Sequence, residues 1–225
     1  DAVAAAAAVP EAGAGRRFAL WGHSQGGHAS LAAAERARAG LPGHELVAVA
    51  AASPPTDLPA NFAAADPAVR SFLSSFAAAS WEQAFGMPLA PLGNRTTRNL
   101  VRKIGARCEG DPQSFITKVD VVRLLYRLRN VNIAETDPWA ARVAASAVGN
   151  RPVQVPMLVS QGDADNLVAP AVTRAFVSRA CARGDRLTYV EVAGGDHAGN
   201  PKAVEAEVVR WLADRFAARP APSTC

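Results

Sequence analysis

Residues 17–38 read RFALW-GHSQGG-HASLAAAERAR, and this run decides how the rest of the chain is read. Arg17 to Trp21 is a short apolar segment that ends at Gly22, the pattern of a buried strand. His28 to Arg38 is rich in alanine and other strong helix formers and stops at Gly40, the pattern of a helix. Between them stands G-x-S-x-G, as Gly22-His23-Ser24-Gln25-Gly26. A serine on so sharp a strand-to-helix turn is held at strained backbone angles, and its neighbours two positions away must be small. Gly22, Gly26 and Gly27 meet that need. The turn lifts the Ser24 hydroxyl clear of the sheet, at the N-terminus of a helix. There the helix dipole and the Gln25 N–H stabilise a developing oxyanion. The run thus predicts Ser24 as a nucleophile and Gln25 as an oxyanion donor.

A serine hydroxyl needs a base to remove its proton, and the chain has four histidines. His23 and His28 flank Ser24 on sides that face away from its line of attack. His44 sits in the loop before the next apolar run, a solvated position. His197 lies in Gly194-Gly195-Asp196-His197-Ala198-Gly199, a loop of small residues beyond the end of a strand. An imidazole there reaches back over the nucleophile, so His197 is the predicted base. The third member is a carboxylate that holds the imidazole tautomer and stabilises its cation. It falls between nucleophile and base in chain order. The stretch Gln161-Gly162-Asp163-Ala164-Asp165-Asn166-Leu167-Val168 offers two, Asp163 and Asp165. Asp196 is a poor candidate, because side chains of sequence neighbours diverge.

The same pattern continues along the chain. Leu46 to Ala52 reads as a second buried strand, Val155 to Ser160 as a third and Leu187 to Val192 as a fourth. Pro170 to Arg183 reads as a helix with proline in its first turn. Asn200-Pro201 is expected to cap a last helix reaching about Ala217. Strands and helices that alternate in this way imply an α/β fold with a parallel sheet covered on both faces. Residues 59–152 lack the alternation. They predict helices at about Pro67 to Ala79, Thr96 to Ala106, Ser114 to Arg129 and Pro138 to Val148, the last opened by Asp137-Pro138. Phe62, Phe72, Phe76, Trp81, Phe85 and Met87 are scattered through them. The expected organisation is a core of residues 1–58 and 153–225 interrupted by a helical insertion, or cap, of residues 59–152.

Composition narrows the class further. The chain has 225 residues, of which 49% are nominally hydrophobic and 50 are alanine. No apolar run approaches the roughly 20 residues of a membrane helix. The net charge is +4, and all but Lys103, Lys118 and Lys202 of the 24 basic residues are arginine. These arginines are dispersed and not interleaved with aromatics, which argues against nucleic acid as a partner. Cys108, Cys181 and Cys225 lack C-x-x-C spacing, so no metal or redox motif is supported.

Taken together, GHSQGG, QGDADNLVAP and GGDHAG resemble the α/β-hydrolase superfamily, and with the large insertion before the acid loop they resemble the secretory lipases of lipase-A type. The resemblance implies the α/β-hydrolase fold from the nucleophile strand onward. It also implies hydrolysis of carboxylic esters of lipids without a cofactor, at Ser24, Asp165 and His197. It favours Asp165 because Asp165, Val168 and Pro170 form the D-x-x-V-x-P run of that acid loop, leaving Asp163 to stabilise the turn. It pairs Cys181 with Cys225, leaves the cap cysteine Cys108 without a partner, and points to a secreted or cell-envelope protein. Contact with a lipid–water interface through the cap, and an acyl tunnel lined by its aromatics, belong to the same expectation. In that fold several strands precede the nucleophile strand, whereas here only Asp1 to Arg16 do. The sequence is therefore expected to lack the N-terminal part, including the loop with the second oxyanion donor, and to leave the nucleophile strand with a bare edge. The same three groups also suit a peptidase or an acyltransferase, and a truncated domain would bind lipid without turning it over.

Overall fold

The computed structural model describes residues 2–37, 43–106 and 114–225. Arg38, Gly40 and Cys108 lie outside them. The chain forms two compact units, one of Asp1–Asp57 with Val148–Cys225 and one of Leu58–Ala147.

Among its described residues the first unit has a short helix, α1 (Ala2–Ala7), and then four strands, β1 (Arg17–His23), β2 (Glu45–Ala52), β3 (Met157–Gly162) and β4 (Leu187–Val192). They pair in the order β1-β2-β3-β4, all parallel. The chain follows β1 with α2 (Gln25–Ala34), β3 with α8 (Pro170–Ala182) and β4 with α9 (Gly199–Phe216). Side chains alternate across the sheet. Val49, Ala51, Met157 and Val159 pack with Leu31 of α2 and Phe176 of α8. Ala48, Ala50 and Leu158 pack with Val204, Val208 and Trp211 of α9. The sheet is thus covered on both faces, which is why β2 is apolar from Leu46 onward and β3 opens on an apolar run.

The two outer strands differ. Among the described residues β1 pairs with β2 alone and has no buried residue, with Trp21 41% exposed. The outer edge of β4 is met by the C-terminal tail. Thr224 N donates to Leu187 O (2.8 Å), Tyr189 N donates to Thr224 Oγ1 (2.9 Å), and Thr188 Oγ1 donates to Pro222 O (2.8 Å). The Cys181–Cys225 disulfide ties α8 to this tail.

Several element ends differ from the sequence reading. α2 starts at Gln25 rather than His28, because the helix follows directly from the turn. α9 starts at Gly199, so Asn200 lies inside it and caps nothing. Asp196, ahead of the helix, accepts from its first residue, Gly199 N to Oδ1 (2.6 Å). The Asn200 amide donates to Ser53 Oγ (2.8 Å), both residues being fully buried. Residues 148–152 join the sheet unit rather than the helical one. Val148 N donates to Thr56 O (2.8 Å), and Val148 and Val153 belong to the core beneath α2 and α8.

The described residues of the second unit form helices and no strand: α3 (Leu58–Ala64), α4 (Pro67–Phe85), α5 (Arg95–Gly105), α6 (Ser114–Leu128) and α7 (Trp139–Ala145). α3 was not expected from the sequence. α4 is capped by Asp66, which accepts from Ala68 N and Val69 N, and runs past Ala79 to the left-handed Gly86. α7 starts at Trp139 without a side-chain cap, so Asp137 does not play that role. Tertiary packing sets the start: Trp139 is fully buried and its indole N–H donates to Pro88 O (2.9 Å). Phe62 sits in this unit's own core, and Phe76, Trp81 and Met87 pack against it. Phe85 is instead half exposed, beneath the Arg142 guanidinium.

Candidate active site

β1 runs straight into α2 through one residue, Ser24. Its φ is 53° and ψ −122°, a conformation that costs a non-glycine residue about 1–3 kcal/mol. Two backbone bonds hold it there: Ser24 N donates to Ala52 O (2.9 Å), and Ser24 O accepts from His28 N (3.0 Å). Gln25 is the first residue of α2, so its N–H has no acceptor within the helix. The turn closes because Gly22 and Gly27 have no side chains. A Cβ on Gly22 would strike the Gly26 carbonyl, and one on Gly27 would lie 3.0 Å from Gly22 O and 3.3 Å from Ala52 O. Gly26 is different, since a Cβ there meets nothing within 4 Å. The turn therefore needs two of the three glycines singled out in the sequence.

Two further loops leave the same ends of the strands, one after β3 and one after β4. They are joined by two backbone hydrogen bonds and by the Asp163 side chain. Ala164 N donates to Gly195 O (3.1 Å), Asp163 N to Val192 O (3.1 Å), and Gly194 N to Asp163 Oδ1 (2.6 Å). Asp163 thus links the two loops rather than serving its own turn. Asp165 faces the other way, and its Oδ2 lies 2.8 Å from His197 Nδ1. Oδ1 accepts from Leu167 N and Val168 N, both at 2.9 Å. Oδ2 also accepts from Gln161 Nε2 at 2.9 Å. Burial alone would raise the Asp165 pKa; the hydrogen bonds from His197, Val168 and Leu167, with the His197 charge, outweigh it and hold the carboxyl below its usual range. A carboxylate can only accept here, so His197 Nδ1 carries its proton and Nε2 is left as the acceptor.

His23 was set aside on sequence and proves to touch this pair. Its Nε2 lies 2.8 Å from His197 O, and the two ring centroids are 4.6 Å apart. The carbonyl accepts, so His23 Nε2 is the donor. No local signal marks the contact, because the partners stand 174 positions apart. Among the described residues Ser24 Oγ and His197 Nε2 make no hydrogen bond to each other. Such bonds are often long before substrate enters. Also among the described residues, no group of three or more His, Cys, Asp or Glu has the makings of a metal site.

The secretory lipase family matches residues 1–224 of the chain. The chain belongs to that family. The chain shares its fold with lipase A of Candida antarctica, at 16% identity and a TM-score of 0.65 over 93% of this chain and 51% of that one. A rice-cell-wall-degrading esterase of Xanthomonas oryzae matches at 16% identity and TM-score 0.66, over 96% of this chain and 62% of that one. A putative hydrolase of Legionella pneumophila matches at 16% identity and TM-score 0.73, over 95% and 60%. The chain therefore spans about half to three-fifths of the length of these structures. Among curated proteins none is a significant match. No helix among the described residues is long and apolar enough to cross a membrane.

The His23 contact has a consequence for stability. Burial, then the neighbouring His197, hold the His23 pKa below 6.5 against the opposing hydrogen bond and Asp165. The folded chain thus resists protonating His23, while the unfolded chain does not. This stabilisation is complete above about pH 6.5 and is lost as the pH falls through the lowered folded value. The urea midpoint is expected to fall between pH 7.5 and 5, and to fall less in His23→Gln, which keeps a donor but does not titrate. Equal slopes in the two proteins would refute this.

Proposed function

We propose that Ser24, His197 and Asp165 are the reacting groups of a serine hydrolase that cleaves carboxylic esters of lipids. The observation that supports this most is the hydrogen bond that His197 Nδ1 donates to the buried Asp165 carboxylate, which leaves Nε2 free to accept. Family membership supports the ester class of substrate.

In this reading His197 Nε2 takes the Ser24 proton as Oγ attacks the ester carbonyl carbon. Asp165 keeps the Nδ1 proton in place and stabilises the imidazolium that forms. The carbonyl electrons move to oxygen, and the oxyanion accepts from the Gln25 N–H at the positive end of α2. The tetrahedral species collapses, and the alcohol leaves with the proton from His197. Water, deprotonated in turn by His197, attacks the acyl-enzyme and releases the acid. The Cys181–Cys225 disulfide supports an oxidising compartment, so we place the protein in the cell envelope or outside the cell.

A fluorophosphonate probe followed by peptide mass spectrometry is the test. Labelling is expected on the peptide that contains Ser24, and none in Ser24→Ala. A wild-type protein labelled on a different residue would overturn the assignment. A panel of soluble esters, amides and acyl acceptors then separates lipase from peptidase or transferase chemistry.

A further inference from the structure

Gln161 occupies an unlikely place for an amide. It lies on β3, a strand buried along its whole length, and is fully buried itself. An apolar side chain would fill that place without the cost of desolvating an amide. Instead, both ends of the Gln161 side chain are bonded. Oε1 accepts from Thr173 Oγ1 of α8 at 2.7 Å, and Thr173 is fully buried too. Nε2 donates to Asp165 Oδ2 at 2.9 Å and lies near Gly162 O (3.2 Å) and Val168 O (3.3 Å). The amide cannot be turned round, because Asp165 and the two carbonyls only accept.

The oxygen that Gln161 holds is the one that accepts His197 Nδ1. Leu167 N and Val168 N take the other oxygen. The carboxylate is thus gripped on both oxygens, with one direction on Oδ2 left for the imidazole. We propose that Gln161 is a positioning residue of the acid–base pair: it fixes the Asp165 carboxylate in the orientation that accepts His197 and tempers its basicity. This rests on the reading of Asp165 and His197 as working groups of ester hydrolysis. The second effect follows because a donor to the charged form of an acid makes it a weaker base. The other ionisable groups nearby are otherwise engaged. His23 of β1 bonds the His197 carbonyl, Asp163 binds Gly194 N, and Asp196 binds Gly199 N. Arg174 of α8 pairs with Glu191 of β4.

The test compares Gln161→Met and Gln161→Glu with the wild-type protein on a soluble p-nitrophenyl ester across pH. Methionine keeps the length and loses the donor. Its kcat is expected to fall about tenfold with KM unchanged. Its acid limb of kcat/KM should move to higher pH, because a more basic carboxylate holds the imidazolium more tightly. The glutamate variant replaces the N–H by a carboxyl O–H beside Asp165. While that carboxyl is protonated it still donates to Oδ2, and activity stays near the wild-type level. As it ionises two carboxylates face each other, so an alkaline limb absent from the wild type should appear.

A purely structural amide would lower the unfolding midpoint of both variants and leave both pH profiles with the wild-type shape. That result overturns the proposal. If Gln161→Met does not fold, the alkaline limb of Gln161→Glu decides alone. Ester hydrolysis that survives Ser24→Ala would instead sink the reading of the acid–base pair on which the proposal rests.

Discussion

Asp165→Asn is expected to lower kcat for ester hydrolysis about 10⁴-fold, with a loss of folding stability of about 1–3 kcal/mol. Four donors surround the carboxylate: Leu167 N and Val168 N on one oxygen, Gln161 Nε2 and His197 Nδ1 on the other. Asparagine has one oxygen and one NH₂. With the oxygen kept toward the two backbone N–H groups, the NH₂ meets the Gln161 NH₂ and His197. A buried donor facing a donor accounts for the stability loss. His197 must then offer a lone pair at Nδ1 and carry its proton on Nε2, the nitrogen that has to accept the Ser24 proton. The imidazole remains in place in the wrong tautomer. Steady-state kinetics and urea unfolding read the two effects separately. A variant with wild-type kcat would remove Asp165 from the mechanism.

The neighbouring carboxylate is the control. Asp163 Oδ1 accepts a single N–H, from Gly194, which an asparagine oxygen also accepts. Asp163→Asn should therefore change kcat only a few-fold. Equal losses at the two positions would mean that the loops act as one structural piece rather than through one carboxylate.

What was legible in the sequence follows the reach of each signal. The strand, the turn at Ser24 and the helix after it are local, so periodicity and small residues were enough to read them. The parallel sheet followed from repeated alternation. Asp163 and Asp165 lie two positions apart in one loop, and residue patterns alone left both open. Only the resemblance to a known family favoured Asp165 and paired Cys181 with Cys225. The contacts of His23 with His197, Gln161 with Thr173 and Asn200 with Ser53 were invisible. Each joins residues from different elements, and no spacing rule brings such partners together. Asn200-Pro201 and Asp137-Pro138 show the reverse failure. Both are good local helix starts, overridden by a buried amide bond in one case and by the burial of Trp139 in the other.

Gly22→Ala is expected to cost the sheet unit about 4 kcal/mol or more, a loss reserved for changes that force a backbone to move. The added Cβ would fall on the Gly26 carbonyl and 2.6 Å from Gly27 N. These are backbone atoms of the first turn of α2, so no side chain can swing aside. The helix would have to retreat from the end of β1, and Ser24 N would lose Ala52 O. Gly26→Ala makes the contrast, although both glycines belong to the same motif. Its Cβ enters open space inside α2, where alanine is favoured over glycine by up to about 1 kcal/mol. Urea unfolding should therefore place Gly26→Ala at or above the wild-type midpoint and Gly22→Ala far below it, or unable to accumulate as soluble protein. The turn would then owe its shape to the close approaches at Gly22 and Gly27, with the second glycine of the motif, Gly26, free to vary. Equal destabilisation by the two substitutions would refute that.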